Sequence, residues 1–317
     1  MNVLITGCAG FIGYSLASNL LKKKNYKIYG IDNLNRYYSI SLKKKRLSLL
    51  LKKKNFFFNK ISLTNKKKLD KFFKNKNIDI VFNFAAQAGV RYVASKPEKF
   101  IESNVMGYHN LLESSKKYNI KKFFYASSSS VYGDKNSYPV NENSILKPKN
   151  IYGLSKKFNE DYININNNQN TRYIGLRFFT VYGEWGRPDM LILKFLKHTK
   201  TRKIFYLNNN GEHWRDFTYI GDVVRICVNL INIKFKKNEI FNVCSNRPVY
   251  IKKIVSYLSK KKKFDKIVIK KKDNIEVIKT HGNNKKLLKL IGSFKFANLI
   301  NKIDSTIKWY DRYSELI

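Results

Sequence analysis

Residues 2–13 read NVLITGCAGFIG, an apolar run that leads directly into glycines at positions 7, 10 and 13. Glycine at these positions permits a tight turn, a close approach of the backbone to a pyrophosphate, and close packing of a helix on a strand. The following helix would offer free N–H groups and the positive end of its dipole to phosphate oxygens. The stretch therefore predicts a strand, a dinucleotide-binding turn and a helix, with an ordinary strand-to-helix turn as the alternative. The predicted cofactor-binding residues here are Gly7, Gly10, Phe11, Ile12 and Gly13.

Beyond this segment, the first half of the chain alternates short apolar runs with longer helical patterns. Strands are predicted at 3–6, 27–31, 56–58, 78–84, 122–127 and 173–178, and helices at 12–23, 99–117 and 152–166. This alternation predicts an α/β fold, a Rossmann-type doubly wound parallel sheet with helices on both faces. After residue 182 the alternation loosens, which predicts a smaller C-terminal α/β substrate domain. We expect a Rossmann domain at 1–178 and a mainly substrate-binding domain at 179–317, with residues 216–245 returning to the first.

Composition restricts the class of protein. Aromatic residues make up 15% and hydrophobic residues 43% of the 317 residues, so the chain can bury a core and is not disordered throughout. Three scattered cysteines do not form a disulfide framework, and four scattered histidines show no metal-ligand spacing, so no metal is expected. No apolar run reaches the roughly 18–20 residues of a membrane span, and a strand at the start leaves no room for a signal peptide. We expect a cytoplasmic protein without a membrane span.

The charge balance allows two interpretations. The chain has 63 Lys and Arg against 22 Asp and Glu, a formal net charge of +41, which is typical of nucleic-acid-binding proteins. However, Lys, Asn, Ile, Phe and Tyr, which A/T-rich codons encode, are all in excess. Short lysine runs are spread along the chain, at 22–24, 43–45, 52–54, 66–68, 260–263 and 270–272. A solvated surface rich in lysine explains this pattern better than a specific nucleic-acid site, although non-specific binding to polyanions at low salt is expected.

A carboxylate follows the glycine turn at the expected distance. Asp32 ends the second predicted strand, 19 positions after Gly13. It can accept both ribose hydroxyls of an adenosine and would repel the 2′-phosphate of NADP, which favours NAD. Arg36 lies close enough to oppose that preference, and a loop cap is the alternative role for Asp32.

One tyrosine–lysine pair has the context of an acid/base. Tyr152 and Lys156 lie four residues apart on a predicted helix and share a face. A free phenol has a pKa near 10, and a neighbouring cation lowers it, so the phenol can take a proton from a substrate hydroxyl. Of 21 tyrosines, four have lysine four positions on: Tyr92, Tyr118, Tyr152 and Tyr257. Only Tyr152 follows a serine cluster, 127–130, that closes a strand. A hydroxyl there can bond the reacting oxygen, whereas backbone capping is the alternative for some of the four serines.

Six segments together resemble one family. They are TGCAGFIG at 6–13, AAQAGVRY at 85–92, YASSSSVYG at 125–133, YGLSKK at 152–157, RFFTVYGEWGRPDM at 177–190 and RDFTYIGD at 215–222. The chain resembles an extended short-chain dehydrogenase/reductase and, within that group, the UDP-glucuronate 4-epimerases, over nearly its whole length. The first and fourth segments are shared by the wider group. The second and fifth together are far more specific to epimerases of nucleotide-linked uronic acids.

The resemblance implies roles for the catalytic and cofactor residues. Ser128 would orient the sugar hydroxyl, and Tyr152 would be the acid/base. Lys156 would hold the nicotinamide ribose and tune the tyrosine. Ser62 stands where many family members carry Asp near the adenine, and it can still accept one hydrogen bond. The implied cofactor is NAD.

The resemblance also implies a UDP-sugar site. Ser127, Ser129 and Thr180 would face the sugar carboxylate. Arg187 and Arg215 would meet the UDP phosphates, where a guanidinium fork fits an anionic oxygen pair; a surface charge is the alternative for each. A homodimer through the helices at 99–117 and 152–166 is implied as well.

The implied reaction is epimerisation at C4 of UDP-glucuronate to UDP-galacturonate, by transient oxidation to a 4-keto sugar, for surface polysaccharide. Relatives that decarboxylate or eliminate water place Glu, or Asp-Glu, just before Val-Tyr-Gly. Here those positions are Ser129 and Ser130, and neither can serve as a carboxylate base. UDP-glucose 4-epimerase and UDP-glucuronate decarboxylase stay open as alternatives. A non-catalytic basic scaffold that binds RNA or lipid is a remote one.

Arg91, a C-terminal segment and Asp222 carry further expectations. Arg91 lies beside the substrate cleft in the resemblance, with a surface role as the alternative. The usual C-terminal pattern of the family, Gly-Asp-Val followed by Thr-x-Ala-Asp, is replaced here by Ile-Glu-Val at 275–277 and Thr-His-Gly-Asn at 280–283. In the family this region helps to enclose UDP, so the resemblance is weaker at the substrate end of the site. Asp222 precedes an apolar stretch and is predicted to cap a helix.

Overall fold

The computed structural model describes residues 1–74, 76–89, 96–166, 170–271 and 277–317. The strands are β1 (Asn2–Thr6), β2 (Lys27–Asp32), β3 (Phe56–Lys60), β4 (Ile80–Asn83), β5 (Lys122–Ser128), β6 (Arg172–Phe178), β7 (Thr180–Tyr182), β8 (Phe205–Asn208), β9 (Trp214–Tyr219), β10 (Glu239–Val243), β11 (Pro248–Tyr250) and β12 (Ile267–Lys270). The helices are α1 (Phe11–Leu20), α2 (Ile40–Leu51), α3 (Lys66–Lys74), α4 (Gly107–Lys117), α5 (Ile151–Ile165), α6 (Leu191–Thr201), α7 (Ile220–Ile231), α8 (Ile251–Lys262), α9 (Lys285–Ile291) and α10 (Leu299–Tyr313). A short helix at Glu98–Phe100 and a π-helical segment at Ile101–Met106 lead into α4.

The main sheet has seven strands in the order β10-β6-β5-β4-β1-β2-β3, and every pairing is parallel. From β1 the chain builds outward through β2 and β3, and then returns to place β4 on the other side of β1. Ligands of such sheets bind at the carboxyl ends of the strands where the direction of winding reverses, here between β1 and β4. The predicted Rossmann-type doubly wound sheet is confirmed.

The C-terminal half forms smaller sheets and a second core. β7, β9 and β11 form one three-stranded sheet, and β8 pairs in parallel with β12. Phe195, Phe205 and Trp309 are among the side chains of the second core. β10 pairs with β6 at the edge of the main sheet, and α7 packs beside α1. The domain boundary at residue 178 stays a prediction.

Among the helices that the sequence did not predict, two in the first half of the chain have lysines that mask an apolar face. In α2, Leu42, Leu47 and Leu50 are buried although the helix contains the lysine run 43–45. Ser39 caps this helix by accepting a hydrogen bond from the Leu42 amide at 3.2 Å. Similarly, α3 buries Leu69, Phe72 and Phe73 beneath a lysine-rich surface. Helical spacing of the apolar side chains, rather than average polarity, decides both helices.

The predicted cap at Asp222 is wrong. α7 begins at Ile220 after Tyr219, so Asp222 lies inside its first turn. The buried carboxylate accepts a hydrogen bond from the Ala297 amide at 2.9 Å and pairs with Arg225 at 2.5 Å. Asp222 therefore fixes the C-terminal segment against α7 and gains from the positive end of the helix dipole.

Among the described residues, the buried acidic side chains equal the buried basic ones in number. Four carboxylates and four cations are buried: Asp32, Glu160, Asp216 and Asp222, with Lys43, Arg46, Lys156 and Arg177. Within the described ranges, every helix is too short or too polar to cross a membrane.

Candidate active site

A cavity of about 600 Å³ opens at the carboxyl ends of β1, β2, β4 and β5. It brings together most of the residues that the sequence predicts for cofactor and catalysis, although they come from distant parts of the chain. Those on its wall are Gly7, Gly10, Phe11, Ile12, Gly13, Asp32, Ser62, Ser127, Ser128, Tyr152, Lys156 and Arg187.

The glycine turn has no room for side chains. Gly7 has a φ of +66°, and a Cβ built on it would lie 2.8 Å from the Ala85 amide nitrogen in the loop after β4. A Cβ on Gly13 would lie only 2.3 Å from the Gly7 carbonyl oxygen. Gly10 donates its amide to that same oxygen at 2.8 Å. The turn thus has no side chain at positions 7, 10 and 13, beside the N-terminus of α1, which fits the pyrophosphate of a dinucleotide.

Asp32 lies at the end of β2 and is held by the turn itself. Its Oδ2 accepts a hydrogen bond from the Ala9 amide at 3.0 Å, and its Oδ1 accepts one from the Leu34 amide at 2.8 Å. The proposed loop cap is therefore present in the structure. It does not replace the predicted ribose contact, since each carboxylate oxygen accepts more than one hydrogen bond.

Lys43 corrects the expectation that the lysine runs are all solvated. Its side chain is buried against the cavity, where the ammonium donates to the carbonyl and the side-chain oxygen of Asn35 at 2.8 and 2.6 Å. Burial lowers the pKa of Lys43 to about 8, and the charge of Asp32 opposes that change. Residues 42, 43, 46, 47 and 50 are buried on one face of α2, so helical spacing is the signal that identifies this lysine.

The catalytic candidates meet where β5 ends and α5 begins. Asn150 caps α5 by accepting the Gly153 amide at 2.9 Å, which places Tyr152 in the first turn beside Ser128. The Lys156 ammonium lies 5.9 Å from the centroid of the tyrosine ring and donates to the Ala126 carbonyl at 2.8 Å. The predicted residues Ser128, Tyr152 and Lys156 are thus adjacent in space.

Burial is the main influence on the pKa values of Tyr152 and Lys156. It raises the pKa of Tyr152 above 10, while the charge of Arg187 and a hydrogen bond with Ser128 lower it. Burial also lowers the pKa of Lys156 to about 8, against the opposing charge of Glu160. The phenol therefore holds its proton at neutral pH, and added positive charge beside it would make it a better base.

Arg187 lies on the cavity wall but has a counter-ion. Its Nε donates to Asp189 Oδ1 at 3.0 Å and its Nη2 to Asp189 Oδ2 at 2.5 Å. The Tyr37 hydroxyl donates to the same carboxylate at 2.8 Å, and burial raises the pKa of this phenol. Tyr37 was not predicted from the sequence, because its partners Asp189 and Arg187 lie about 150 residues away along the chain.

The other predicted substrate residues are dispersed. Ser127 donates its hydroxyl to Glu160 at 2.5 Å, and Ser129 begins a single 3₁₀ turn. Thr180 lines a smaller recess together with Arg187. Arg215 donates to the carbonyls of Trp214 and Ile278 at 2.9 and 3.1 Å. The roles of these residues stay predictions.

Two expectations fall partly or wholly outside the described residues. Arg91 lies there, and so do positions 275 and 276 of the altered C-terminal pattern. Gly282, farther along that pattern, donates its amide to the buried carboxylate of Asp216 at 3.2 Å. In the part of the chain that the structure describes, no group of three or more His, Cys, Asp or Glu side chains has an arrangement able to hold a metal ion.

The sequence profile of the NAD dependent epimerase/dehydratase family matches residues 3–244. The chain belongs to this family. Protein CapI of Staphylococcus aureus is 41% identical over 283 residues, covering 82% of this chain and 83% of that protein. UDP-glucuronate 4-epimerase 6 of Arabidopsis thaliana is 36% identical over 333 residues, covering 99% of this chain and 72% of that protein.

Solved structures agree with this assignment. The UDP-glucuronic acid 4-epimerase of Bacillus cereus, in complex with UDP-glucuronic acid and NAD, has a TM-score of 0.93 at 30% identity, covering 99% of this chain and 100% of that one. A UDP-glucose 4-epimerase of Thermotoga maritima with UDP-glucose has a TM-score of 0.89 at 26% identity, with the same coverage. The predicted family, an enzymatic role and NAD as the cofactor are confirmed.

Proposed function

We propose that the protein epimerises UDP-glucuronate at C4 to UDP-galacturonate, by way of a transient 4-keto sugar. The observation that carries the proposal is the placement of Ser128, Tyr152 and Lys156 together on the wall of the same cavity as the glycine turn and Asp32. A proton acceptor therefore lies where a dinucleotide and a sugar would meet. The uronic acid is favoured because the relatives named for it are 36% and 30% identical to this chain, against 26% for the UDP-glucose 4-epimerase.

The side chains have complementary roles in this reaction. Bound NAD would supply the hydride acceptor and a positive charge near Tyr152. Tyr152 takes the proton of the C4 hydroxyl as that carbon is oxidised, and returns a proton after the sugar has presented its other face. Ser128 hydrogen-bonds the reacting oxygen, and Lys156 fixes the ribose beside it. Arg187 contributes by lowering the pKa of the phenol.

Two serines argue against loss of carbon dioxide or water. Ser130 donates its amide to Ser128 Oγ at 3.1 Å, and the Ser128 hydroxyl donates to Ser130 Oγ at 3.1 Å. Ser130 thus supports Ser128, and neither it nor Ser129 offers a carboxylate. A 4-keto uronic acid is a β-keto acid, so an enzyme that avoids decarboxylation must hold the carboxylate away from alignment with the ketone.

The test is the product spectrum. Purified protein with NAD and UDP-glucuronate is followed by proton NMR of the sugar. Appearance of the galacto isomer, with no pentose and no carbon dioxide, supports the proposal. A UDP-pentose would instead make the protein a decarboxylase. Inert UDP-glucuronate with interconversion of UDP-glucose and UDP-galactose would make it a neutral-sugar epimerase.

We also propose a homodimer. Large apolar side chains are exposed on the helical segments 98–117 and 151–165, including Leu154 at 56% and Ile165 at 83%, with Ile101, Met106 and Phe158. Burying them against a second copy would remove apolar surface from water. Leu154→Asp should give a monomer by light scattering after gel filtration. Ile269→Asp, at an exposed position on β12, is the matched control and should leave the dimer intact.

We further propose a cellular location for the protein and a destination for its product. A cytoplasmic location fits the free, buried state of Cys8, Cys227 and Cys244, and surface polysaccharide is the proposed destination of the product. The non-catalytic scaffold would require RNA binding that persists at high salt together with no binding of nicotinamide cofactor. A filter-binding assay in 0.05 and 0.5 M salt, roughly a tenfold range, distinguishes it from non-specific attraction.

A further inference from the structure

Tyr152, Lys156 and Glu160 are spaced four residues apart on one face of α5, which packs against the end of β5. Tyr152 lines the same cavity as Ser128, Lys156 donates to the Ala126 carbonyl at 2.8 Å, and Glu160 accepts from the Ser127 hydroxyl at 2.5 Å. The first two side chains are the predicted catalytic pair. The third, Glu160, is not among the site residues that the sequence predicts.

Glu160 is buried and rigidly held. Its Oε1 accepts from Ser127 Oγ and from Arg177 Nε at 3.0 Å, and its Oε2 accepts from Arg177 Nη2 at 2.7 Å. Such a two-bond fork between guanidinium and carboxylate fixes orientation as well as charge. Arg177 lies on β6 directly opposite Ser127 on β5, so the carboxylate is fixed by both strands at once.

We propose that Glu160 is a positioning residue for the epimerisation, which keeps the buried Lys156 ammonium charged and holds the serines of β5 in place for Tyr152. The inference rests on the proposed function. A buried ammonium loses hydration, and a fixed negative charge nearby compensates for part of that loss. Consistent with this, burial lowers the pKa of Lys156 to about 8, and Glu160 is the group whose charge raises it.

Other ionisable groups around this face do not replace Glu160. Tyr108 on α4 and Tyr125 on β5 have pKa values raised well above the ordinary value by burial, so both stay neutral. Arg177 on β6 is a cation paired with Glu160, so it supplies no negative charge to Lys156. Arg187, from the loop before α6, acts on the Tyr152 phenol. Among the described residues, the carboxylate that acts on Lys156 is therefore Glu160.

Glu160→Gln tests the proposal by removing the charge while keeping the shape. We expect kcat to fall and the KM for UDP-glucuronate to stay within about twofold, because Glu160 lies behind the cavity wall and does not line it. The alkaline limb of the kcat–pH profile should move to lower pH by roughly one unit, since Lys156 loses its proton more easily. Glu160→Asp keeps the charge and should keep the alkaline limb in place.

The matched control is Asp161→Asn. Asp161 is the next residue on α5 and pairs with Lys157 at 2.6 Å on the exposed side of the helix. Its loss removes the same charge from the same helix without touching β5. The kcat–pH profile of this variant should match that of the wild type.

A second variant distinguishes the role of Glu160 from a general loss of folding. A second measurement tests that role without any assumption about the sugar substrate. Glu160→Gln leaves the buried Arg177 without its counter-ion, so the double variant with Arg177→Gln is measured as well. NADH binding, followed by its fluorescence, needs no sugar substrate. Wild-type binding should weaken above about pH 8, and binding by Glu160→Gln should weaken roughly one unit lower. The double variant should shift in the same direction but by less, because loss of the Arg177 cation offsets part of the lost negative charge.

The outcomes are distinguishable. If the wild type does not convert UDP-glucuronate, the proposed function fails, but the NADH titration still tests Glu160. If NADH binding and kcat keep their wild-type pH midpoints in the single and double variants, the role proposed for Glu160 is overturned.

Discussion

Arg46 joins the glycine turn to the loop that carries Arg187. The guanidinium is fully buried, and no ion pair within the described ranges includes it. Its hydrogen bonds go from Nη1 to the Ala9 carbonyl at 3.0 Å and the Tyr38 hydroxyl at 2.7 Å, and from Nη2 to the Trp185 and Gly186 carbonyls at 2.5 and 2.8 Å. Since Ala9 belongs to the glycine turn, stability and cofactor binding should both depend on this arginine.

The size of the effect follows from those contacts. Arg46→Met keeps most of the apolar stem but leaves the carbonyls of Ala9, Trp185 and Gly186 buried without this donor. Each such acceptor costs about 1–3 kcal/mol, and removal of a buried cation returns part of the total. We expect the free energy of unfolding to fall by about 3 kcal/mol. We also expect the Kd for NAD to rise about tenfold, because the Ala9 segment is no longer held.

Urea unfolding measures the first quantity and titration with NAD the second. Lys45→Met is the matched control, because Lys45 is exposed on the same helix; its unfolding free energy should stay within about 0.5 kcal/mol of the wild type. An Arg46→Met variant with wild-type stability and wild-type NAD affinity would refute the reasoning.

Three further predictions concern the turn, the acid/base and a buried carboxylate. Gly13→Ala places a Cβ 2.3 Å from the Gly7 carbonyl oxygen, so the turn must open and the NAD affinity should fall about tenfold or more in a titration; unchanged affinity would contradict the close packing. Tyr152→Phe should lower kcat about 10²–10⁴-fold and leave the Kd for UDP-glucuronate nearly unchanged, and a variant of full speed would exclude the phenol as acid/base. Burial raises the pKa of Asp216 from 3.8 to about 6, so folding favours its protonated form and that contribution to stability is lost as the pH rises through 6. The stability of the wild type relative to Asp216→Asn should therefore decline by about 2 kcal/mol between pH 4 and 7 in urea unfolding, and a pH-independent difference would contradict the raised pKa.

The cofactor half of the site was predictable because its signals are local. The glycine turn lies within seven consecutive residues, and Tyr152 and Lys156 lie one helical turn apart. Both motifs can be identified from the spacing of residues within a short stretch of sequence. Asp32, whose ribose contact stays a prediction, also lies on the cavity wall, because it ends the strand that follows α1.

The polar network behind the site was not predictable in the same way. Glu160 meets Ser127 across 33 residues and Arg177 across 17, and those contacts exist only after α5 has packed on the sheet. Lys43 and Arg46 lie in or beside a lysine run, where charge alone does not separate buried from exposed members. Their positions on the buried face of α2, beside Leu42 and Leu47, supply the distinction.

The cancellation of the buried charges has a consequence for encounter with the substrate. Because the four interior carboxylates balance the four interior cations in the described part of the chain, the net positive charge of the described residues lies on side chains that are at least partly exposed to solvent. A positive potential then extends outward by about a Debye length, roughly 8–10 Å in physiological salt. A diphosphate sugar that also bears a carboxylate would be drawn towards the molecule before any contact forms, and its capture would slow as ionic strength rises.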